Sequence, residues 1–329
     1  MQRALVDKPS RFEAIDLARG LALVAMAVYH LGWDFEFFGY MDPGTTVTGG
    51  WRLFARSIAS SFLFLVGVSL VLAHGRGIRW RAFARRLAVV AAAAGAITLA
   101  TWLVMPGGFI FFGILHHIAV ASLVGLAFLR LPVALVLAAA VVVAVLPNVW
   151  RAAIFDQPWL WWVGLSVHPP TANDYVPLFP WFAAVLAGIA ATRLALRARL
   201  MERLGAWRFS AWAVPFRFFG RHSLTFYLLH QPVLIAGVWL FAQVWPAAER
   251  PPETAFMLSC QAQCERTREA AFCTAYCACV LDVVDAEGRL ETLLSGGGGA
   301  ASSRRIREIA NQCTAEVEFG GNRDGGRDE

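Results

Sequence analysis

Hydrophobic residues occur in long runs along this chain, and several runs approach the roughly 20 residues that a helix needs to cross a bilayer. The runs predict membrane-spanning helices at about 14–34, 52–73, 87–105, 109–129, 132–149, 176–196 and 216–245. The Trp-rich segment 158–166 is too short to span, and its composition is typical of an interfacial or re-entrant piece. The pattern therefore predicts an all-α fold, a polytopic membrane bundle of about seven transmembrane helices.

The basic residues of the connecting segments predict the orientation of these helices. They concentrate in the N-terminus, in the loop 74–86 and in the segment after the sixth run, which lie on one side if the spans alternate. The positive-inside rule places that side in the cytoplasm. We therefore expect a multi-pass protein of the cell inner membrane with its N-terminus inside and its C-terminal tail periplasmic. The first run carries charges within it, so it is not expected to be a cleaved signal peptide.

Composition agrees with a membrane protein, since 58% of the residues are hydrophobic and the mean hydropathy is +0.54. The net charge of +6 is unevenly divided: 21 basic and 10 acidic residues precede residue 251, whereas 8 basic and 13 acidic residues follow. The positive excess suits cytoplasmic loops that face anionic lipid headgroups and an anionic ligand. Its arginines are scattered and accompany no nucleic-acid-binding motif, which argues against a nucleic-acid partner.

The tail, 251–329, is predicted to be separate from a membrane domain at 1–250. It contains all six cysteines, Cys260, Cys264, Cys273, Cys277, Cys279 and Cys313. An even count on the predicted outer side indicates a disulfide framework. The i,i+4 spacings suit two short stapled helices, and a further helix at about 303–314 would return Cys313 to them. Fifteen pairings are possible; a metal site is the alternative, although the tail has neither CxxC pairs nor histidine. Segments 295–303 and 320–329 are expected to be flexible.

The first run carries Asp16, Arg19, His30 and Asp34, which are costly groups at membrane depth and tend to be kept for function. Arg19 and His30 are eleven residues apart, which places them on nearly one face, roughly 16 Å apart along the helix axis. Asp34 follows His30 by one turn and can orient the imidazole, so His30 is a candidate general base or nucleophile. The alternative is a buried histidine that bonds a neighbouring helix.

The last run adds Ser223, Tyr227 and His230 on one helical stripe, followed by Pro232, which often kinks a helix beside a cavity. Tyr227 and His230 are therefore further catalytic candidates, with a polar interhelical seam as the alternative. On the predicted outer side, His116 is favoured over its neighbour His117 as a substrate-binding residue. The loop 168–181 is a rigid polar segment that suits binding of a sugar acceptor, or a packed lid. The candidate substrate-binding residues of this loop are Thr171, Asp174 and Tyr175.

Four segments together resemble the bacterial branch of the heparan-alpha-glucosaminide N-acetyltransferase catalytic family. They are RFEAIDLARGLALVAMAVYHLGWD, FLFLVGVSL, FFGILHHIA with HPPTANDYVPLFPW, and GRHSLTFYLLHQP, and the resemblance covers roughly residues 10–245. The wider group of transmembrane acyltransferases shares a basic residue, ten residues and then His in the first span, which Arg19 and His30 match. Animal members place a catalytic histidine in the next loop, but residues 35–50 here contain none, so His30 is the nearest substitute.

The resemblance implies that acetyl-CoA from the cytoplasm is the acyl donor and that an extracytoplasmic carbohydrate is the acceptor. Cytoplasmic arginines, namely Arg19, Arg85, Arg86 and Arg221, would hold the CoA phosphates, and no metal is implied. A transporter or flippase for an acyl- or sugar-linked compound is the chief alternative, although the chain has no internal repeat typical of transporters. A membrane scaffold that presents the tail to an envelope partner is a third hypothesis.

Overall fold

A computed structural model describes residues 12–170, 172–207, 209–248, 251–265, 268–294 and 300–320. These ranges contain helices and loops but no β-strand, which confirms the all-α prediction. The helices are α1 (Glu13–Phe37), α2 (Gly49–His74), α3 (Trp80–Val104), α4 (Ile114–Phe128), α5 (Val133–Val149), α6 (Leu178–Arg197), α7 (Leu200–Ala206), α8 (Val214–Arg221), α9 (Ser223–Val244), α10 (Pro252–Cys264), α11 (Ala270–Ala286), α12 (Leu290–Leu294) and α13 (Ala300–Gly320).

Five of these helices, α1, α2, α3, α6 and α9, are long and apolar enough to cross a membrane. The apolar helices α4 and α5 are shorter, at 15 and 17 residues. The predicted span 109–129 was too long, because α4 begins at Ile114 and ends at Phe128. The predicted span 216–245 is two helices that are interrupted at His222. The count of seven spans and their orientation stay predictions.

The chain divides into two compact units. The first comprises Met1–Met26 and Arg56–His230, and the second comprises Ala27–Ala55 and Gln231–Glu329. Helices α1, α2 and α9 each contribute residues to both units. The predicted domain boundary at residue 250 stays a prediction.

Helices α2 and α6 pack very closely in the first unit. A Cβ atom added at Gly67 would lie 2.1 Å from the Val185 carbonyl oxygen, and one added at Gly188 would lie 2.1 Å from the Phe64 carbonyl oxygen. Each helix thus presents a glycine where the backbone of the other approaches, as small residues do between membrane helices. Gly67 therefore allows the close packing of α2 on α6. Around this contact, buried side chains of α2, α4, α5 and α6 form the core.

The segment between α5 and α6 is folded around Asp156. Its carboxylate accepts hydrogen bonds from the Ser166 hydroxyl at 2.5 Å, from the Val167 amide at 2.9 Å and from the His168 amide at 3.0 Å. These bonds hold the pKa of Asp156 well below its usual range. Between Asp156 and Ser166, Pro158–Val163 forms a 3₁₀ helix of six residues, which agrees with the prediction that the Trp-rich segment is too short to span.

Three disulfides hold the tail helices of the second unit together. Cys260–Cys277 and Cys264–Cys273 staple α10 to α11, and Cys279–Cys313 joins α11 to α13. The stapled pair and the return of Cys313 are confirmed, and the metal alternative is wrong because every cysteine is bonded to another. Phe256, Val284 and Ile309 are buried between these helices.

The predicted flexible segments of the tail fall largely outside the described residues. Residues 295–299 and 321–329 are not described. Helix α13 begins at Ala300, so the end of the predicted flexible segment 295–303 is helical, and the helix runs beyond the predicted range 303–314.

Candidate functional site

A close contact between α1 and α8 gathers charged residues in the first unit. A Cβ atom at Gly220 would lie 1.8 Å from the Asp16 carbonyl oxygen, and one at Gly20 would lie 1.8 Å from the Phe216 carbonyl oxygen. The two glycines therefore let the helix backbones touch. As a result, the Arg221 guanidinium lies 3.5 Å from the Asp16 carboxylate.

Asp16 also lies 3.7 Å from Arg19, so one buried carboxylate serves two guanidinium groups. Arg19 in turn donates a hydrogen bond to the Ser69 hydroxyl on α2. We call Asp16, Arg19, Ser69 and Arg221 the basic cluster. The basic cluster thus holds two guanidinium groups, and guanidinium groups match the geometry of phosphate oxygens.

A small cavity of about 20 Å³ adjoins the basic cluster, because Ser69 is among its lining residues. His74, Arg86 and Ser122 are the other polar residues that line it. A volume of this size holds about one water molecule. Arg86 thus lines the cavity that adjoins the Arg19–Ser69 contact, whereas Arg85 does not; both arginines are exposed on α3.

In the second unit, Asp34 is fully buried on α1 and is bonded to α9. The Gln231 side-chain amide donates a hydrogen bond of 2.6 Å to Asp34 Oδ1. His30 lies one turn earlier on α1, is half-buried, and contacts the Tyr29 ring edge-on at 5.6 Å. The partner observed for Asp34 is therefore Gln231, and orientation of the His30 imidazole by Asp34 stays a prediction.

His230 on α9 has a defined tautomer. Its Nδ1 lies 2.6 Å from the Tyr227 carbonyl oxygen, which can only accept, so Nδ1 carries the proton and Nε2 is the basic nitrogen. The ring stacks on Phe226 and is 9% exposed. Tyr227 packs against a cluster of small and aliphatic residues from α3 and α4. His230 thus has the electronic form that a general base needs.

Asp174 connects the loop before α6 with the start of α4. Its Oδ2 accepts a hydrogen bond of 2.9 Å from the Ile114 amide, and Tyr227 packs against the cluster that contains the next residue of α4, Leu115. Burial raises the pKa of Asp174 to about 6, while the bond from Ile114 acts in the opposite direction. The structure therefore brings two predicted site residues, Asp174 and Tyr227, into one region of the first unit.

Tyr175 and His116 are also held by hydrogen bonds. The Tyr175 hydroxyl donates to the Trp161 carbonyl at 2.6 Å, and burial raises the pKa of Tyr175 to about 12. The Gly113 amide donates to His116 Nδ1 at 3.2 Å, so His116 Nε2 carries the proton and donates to Thr98 at 3.1 Å. Both nitrogens of His116 are thus engaged at the start of α4.

Two further residues of the predicted outer side are His117 and Thr171, and the structure describes only the first of them. His117 is fully buried and donates through Nδ1 to the Val176 carbonyl at 3.1 Å, as a structural histidine would. Thr171 lies outside the described residues. In the described part of the chain, no group of three or more His, Cys, Asp or Glu side chains is arranged to hold a metal ion.

An aromatic cleft of about 390 Å³ lies beside these residues. It is lined by Phe111, Phe112, Val120, Pro158, Trp159 and Trp162. Its volume falls within the range of about 300–1,000 Å³ that is typical of small-molecule sites. The Phe111 ring lies 5.6 Å from the Tyr175 ring, and the Phe112 ring lies 5.8 Å from the His116 ring. Two predicted acceptor-binding residues, Tyr175 and His116, therefore contact aromatic residues that line the cleft.

Two residues that contact the candidate site residues, Gln231 and Ser69, were not predicted from the sequence to have a functional role; Ser69 was expected to serve helix packing. Gln231 carried a detectable signal, because an amide side chain next to Pro232 in an apolar run is costly unless it has a partner. Ser69 carried little signal, since a single serine in a membrane helix often bonds its own backbone, as Ser69 also does with Leu65 at 2.6 Å.

A family model described as heparan-alpha-glucosaminide N-acetyltransferase, catalytic, matches residues 11–232, about two thirds of the chain. The chain belongs to this family. The resemblance seen in the sequence is thereby confirmed, and the chain is a member of a membrane acetyltransferase family. The matched segment of this transferase begins just before α1 and ends at Pro232 in α9. The disulfide-bonded tail lies beyond it. Comparison with curated proteins and with solved structures gives no match.

Proposed function

We propose that this family member is an integral-membrane acyltransferase that moves an acetyl group from cytoplasmic acetyl-CoA to an extracytoplasmic sugar. The observation that carries the proposal is the family match across α1, the apolar helix on which Arg19 and His30 occur eleven residues apart. In this proposal the protein lies in the inner membrane, with the basic loops in the cytoplasm and the tail in the periplasm.

The basic cluster would bind the CoA phosphates. Arg19 and Arg221 both lie beside the Asp16 carboxylate, and each guanidinium group can form parallel hydrogen bonds to two phosphate oxygens. Arg86 lines the cavity at Ser69 and would extend the site, whereas Arg85 would contribute from the surface. The cavity has room for only about one water, so entry of the pantetheine arm requires its lining side chains to move.

His30 would act as the general base at the reacting carbonyl. It takes the proton from the acceptor amine or hydroxyl as the acceptor attacks the thioester. The new C–N or C–O bond forms, the C–S bond breaks, and the CoA thiolate leaves and receives the proton from the imidazolium. The alternative route passes the acetyl group first to His30 and then to the sugar, with the same bonds formed and broken overall.

Residues of α9 would assist this step. Tyr227 supplies a hydroxyl donor for the oxyanion that develops on the thioester carbonyl. His230 has a basic Nε2, because its Nδ1 proton is donated to the Tyr227 carbonyl, so it is a second candidate for proton transfer. Asp34 would orient His30, as its position one turn later on α1 suggests.

The acceptor would bind on the outer side of the first unit. Asp174 and Tyr175 offer oxygen acceptors in the loop before α6, and His116 and Thr171 are the further candidates. The aromatic cleft has the volume for a sugar ring, and its walls contact the rings of His116 and Tyr175.

The proposal is tested by incubating the purified protein with labelled acetyl-CoA and a panel of amino and neutral sugars. We expect label on at least one sugar together with CoA release, and we expect His30→Ala to abolish both. His222→Ala is the matched control, because His222 is an exposed histidine between α8 and α9 whose side chain lies within hydrogen-bond distance of the Phe218 carbonyl. If no sugar leads to CoA release, as expected of a transporter, the proposal is overturned. Near-normal turnover by His30→Ala would also overturn it.

A further inference from the structure

The aromatic cleft of the first unit is lined by apolar and aromatic side chains alone among the described residues, with two tryptophans in its wall. Leu123 lies one turn after the lining residue Val120 on the apolar helix α4 and is 55% exposed, so the apolar surface continues along that helix. The indole N–H groups are the only side-chain donors of this lining, which is too few for the hydroxyl groups of a sugar. The lining therefore suits a hydrocarbon chain.

Arg151 lies close to this cleft, directly after the end of α5. The amide of the next residue, Ala152, donates a hydrogen bond of 3.1 Å to the Leu165 carbonyl, which closes the loop that carries the Trp-rich wall of the cleft. Burial raises the pKa of Tyr175 to about 12, and the positive charge of Arg151 acts in the opposite direction. The Tyr175 ring in turn lies 5.6 Å from the ring of Phe111, which lines the cleft. A positive charge thus lies at the edge of an apolar cleft.

The Arg151 guanidinium has donors that the described part of the protein does not use. Its Nε donates to the Pro147 carbonyl at 2.9 Å, as basic residues at helix C-termini often do. The side chain is exposed, and no carboxylate of the described residues forms a salt bridge with it. The terminal nitrogens can therefore donate to an anion, and their geometry matches phosphate oxygens.

The position of Arg151 in the sequence is also unusual. It is the only arginine or lysine in the segments 105–113 and 150–177, which lie on the predicted outer side. The positive-inside rule accounts for the basic residues of the predicted cytoplasmic loops but not for this one. An anionic ligand on the outer side would account for it.

We infer that the aromatic cleft and Arg151 bind a lipid-linked acceptor, in which a phosphate joins the sugar to a single hydrocarbon chain. The chain lies between the aromatic rings of the cleft, and the phosphate accepts hydrogen bonds from the Arg151 guanidinium. The inference rests on the proposed function and refines it, because the cleft encloses the chain of the acceptor and the sugar lies beyond the phosphate. One cleft of about 390 Å³ takes one chain, whereas a phospholipid brings two.

Helix capping and ordinary contact with the bilayer are the competing explanations, and they make different predictions. A cap on α5 stabilises the protein with or without a ligand, so its loss would lower the Tm but leave ligand affinity unchanged. A surface that only touches bulk lipid would take up charged and neutral amphiphiles alike. Farnesyl phosphate and farnesol have the same single chain and differ in the phosphate, so they are the main probes. Phosphatidylglycerol is the two-chain anion for comparison.

The test measures the thermal shift of the full-length protein at a fixed detergent concentration, without acetyl-CoA, as each probe is titrated. We expect farnesyl phosphate to stabilise the wild type more than farnesol, phosphatidylglycerol or inorganic phosphate does. Arg151→Gln should raise the apparent Kd for farnesyl phosphate by about tenfold or more, since hydrogen bonds between charged groups are lost. Arg130→Gln is the matched control, because Arg130 is an exposed arginine near the other end of α5.

A second pair of variants tests the cleft itself. Trp159→Ala removes an exposed ring from the wall and should also weaken the binding of farnesyl phosphate. Trp102→Ala should not, because Trp102 is an exposed tryptophan on α3 that does not line the cleft. If Trp159→Ala does not fold, the Arg151→Gln result decides.

The outcomes separate this inference from the proposed function. Selective binding of farnesyl phosphate that Arg151→Gln weakens and Arg130→Gln retains supports the site, even if acetyl transfer is never observed. Equal shifts with farnesyl phosphate and farnesol, an equal shift with phosphatidylglycerol, no shift in the wild type, or an unchanged Kd in Arg151→Gln would overturn it. Acetylation of free sugars would still support the proposed function in that case.

Discussion

The Arg19 guanidinium on α1 donates a hydrogen bond to the Ser69 hydroxyl on α2, 50 residues later in the chain. The same guanidinium lies 3.7 Å from Asp16, so two helices fix the position of one intramembrane arginine. The Ser69 hydroxyl donates its own proton to the Leu65 carbonyl, which leaves its lone pairs available to Arg19. This contact gives the arginine of the first span a defined place beside the cavity that Ser69 lines.

Replacing Ser69 with alanine should loosen the binding of acetyl-CoA. The substitution removes the acceptor that positions Arg19, and a hydrogen bond of this kind contributes about 0.5–1.5 kcal/mol. We expect the KM for acetyl-CoA to rise roughly two- to tenfold, with little change in the KM for the sugar. Initial rates at varied acetyl-CoA measure this. Ser61→Ala is the control on the same helix, because Ser61 is exposed and bonds its own backbone; equal KM values for both variants would contradict the assigned role.

Valine at Gly67 should prevent the close packing of α2 on α6. The new side chain would begin 2.1 Å from the Val185 carbonyl oxygen, and backbone atoms cannot yield as a flexible side chain can. Overpacking of this kind costs about 1–3 kcal/mol or more. We expect a lower Tm and less monodisperse protein in size-exclusion chromatography. Gly95→Val on α3 should be tolerated, since no atom lies within 4 Å of its added Cβ; equal losses in both variants would refute the packing argument.

Asp174 should make the stability of the protein fall as the pH rises from about 4 to above 6. Burial raises its pKa in the folded protein to about 6, from 3.8 in the unfolded chain, so the folded state binds more protons between these values. The stability that this protonation contributes is complete below about pH 4 and is lost through pH 6. Asp174→Asn keeps an acceptor for the Ile114 amide but does not titrate.

The measurement is the Tm of both proteins in detergent between pH 4 and 7.5. We expect the Tm of the wild type to fall relative to that of Asp174→Asn as the pH increases across this range. Parallel pH profiles would show that Asp174 is not protonated preferentially in the folded state.

Removing the Cys279–Cys313 disulfide should destabilise the tail more than removing Cys264–Cys273. The first bond joins residues 34 apart and the second joins residues 9 apart. In the chain-entropy description, the longer loop contributes about 1 kcal/mol more stability. Paired Cys→Ser variants of the full chain should therefore differ in their rate of limited proteolysis within the tail, with the Cys279/Cys313 variant cut faster. The reverse order would show that local packing, not loop length, determines the effect.

Local sequence patterns predicted the parts of the fold that depend on neighbouring residues. Apolar runs gave the positions of the long helices, and the i,i+4 cysteines gave the stapled α10–α11 pair. Hydropathy alone extended the fourth span back to residue 109, because the residues between Gly108 and Gly113 are apolar although they are not helical. It also joined α8 to α9 across His222 for the same reason.

Long-range partners could not be predicted from these patterns. Gln231 is 197 residues from Asp34 in the chain, and neither hydropathy nor helical periodicity says which polar groups meet across helices. Likewise, the pair of neighbouring histidines in α4 indicated a polar site. Only the structure shows that the Gly113 amide and Thr98 engage both nitrogens of His116. The family resemblance, by contrast, depended on the order of several motifs, and it was confirmed.

Acetyl transfer across a sealed membrane tests the central claim most directly. The wild-type protein is reconstituted into liposomes that enclose glucosamine, and labelled acetyl-CoA, which cannot cross the bilayer, is added outside. We predict that acetylated glucosamine accumulates inside the vesicles and that His30→Ala vesicles accumulate none, while His222→Ala vesicles behave as the wild type. Labelled sugar that appears only when glucosamine is supplied on the acetyl-CoA side, or no labelled sugar at all, would contradict the account.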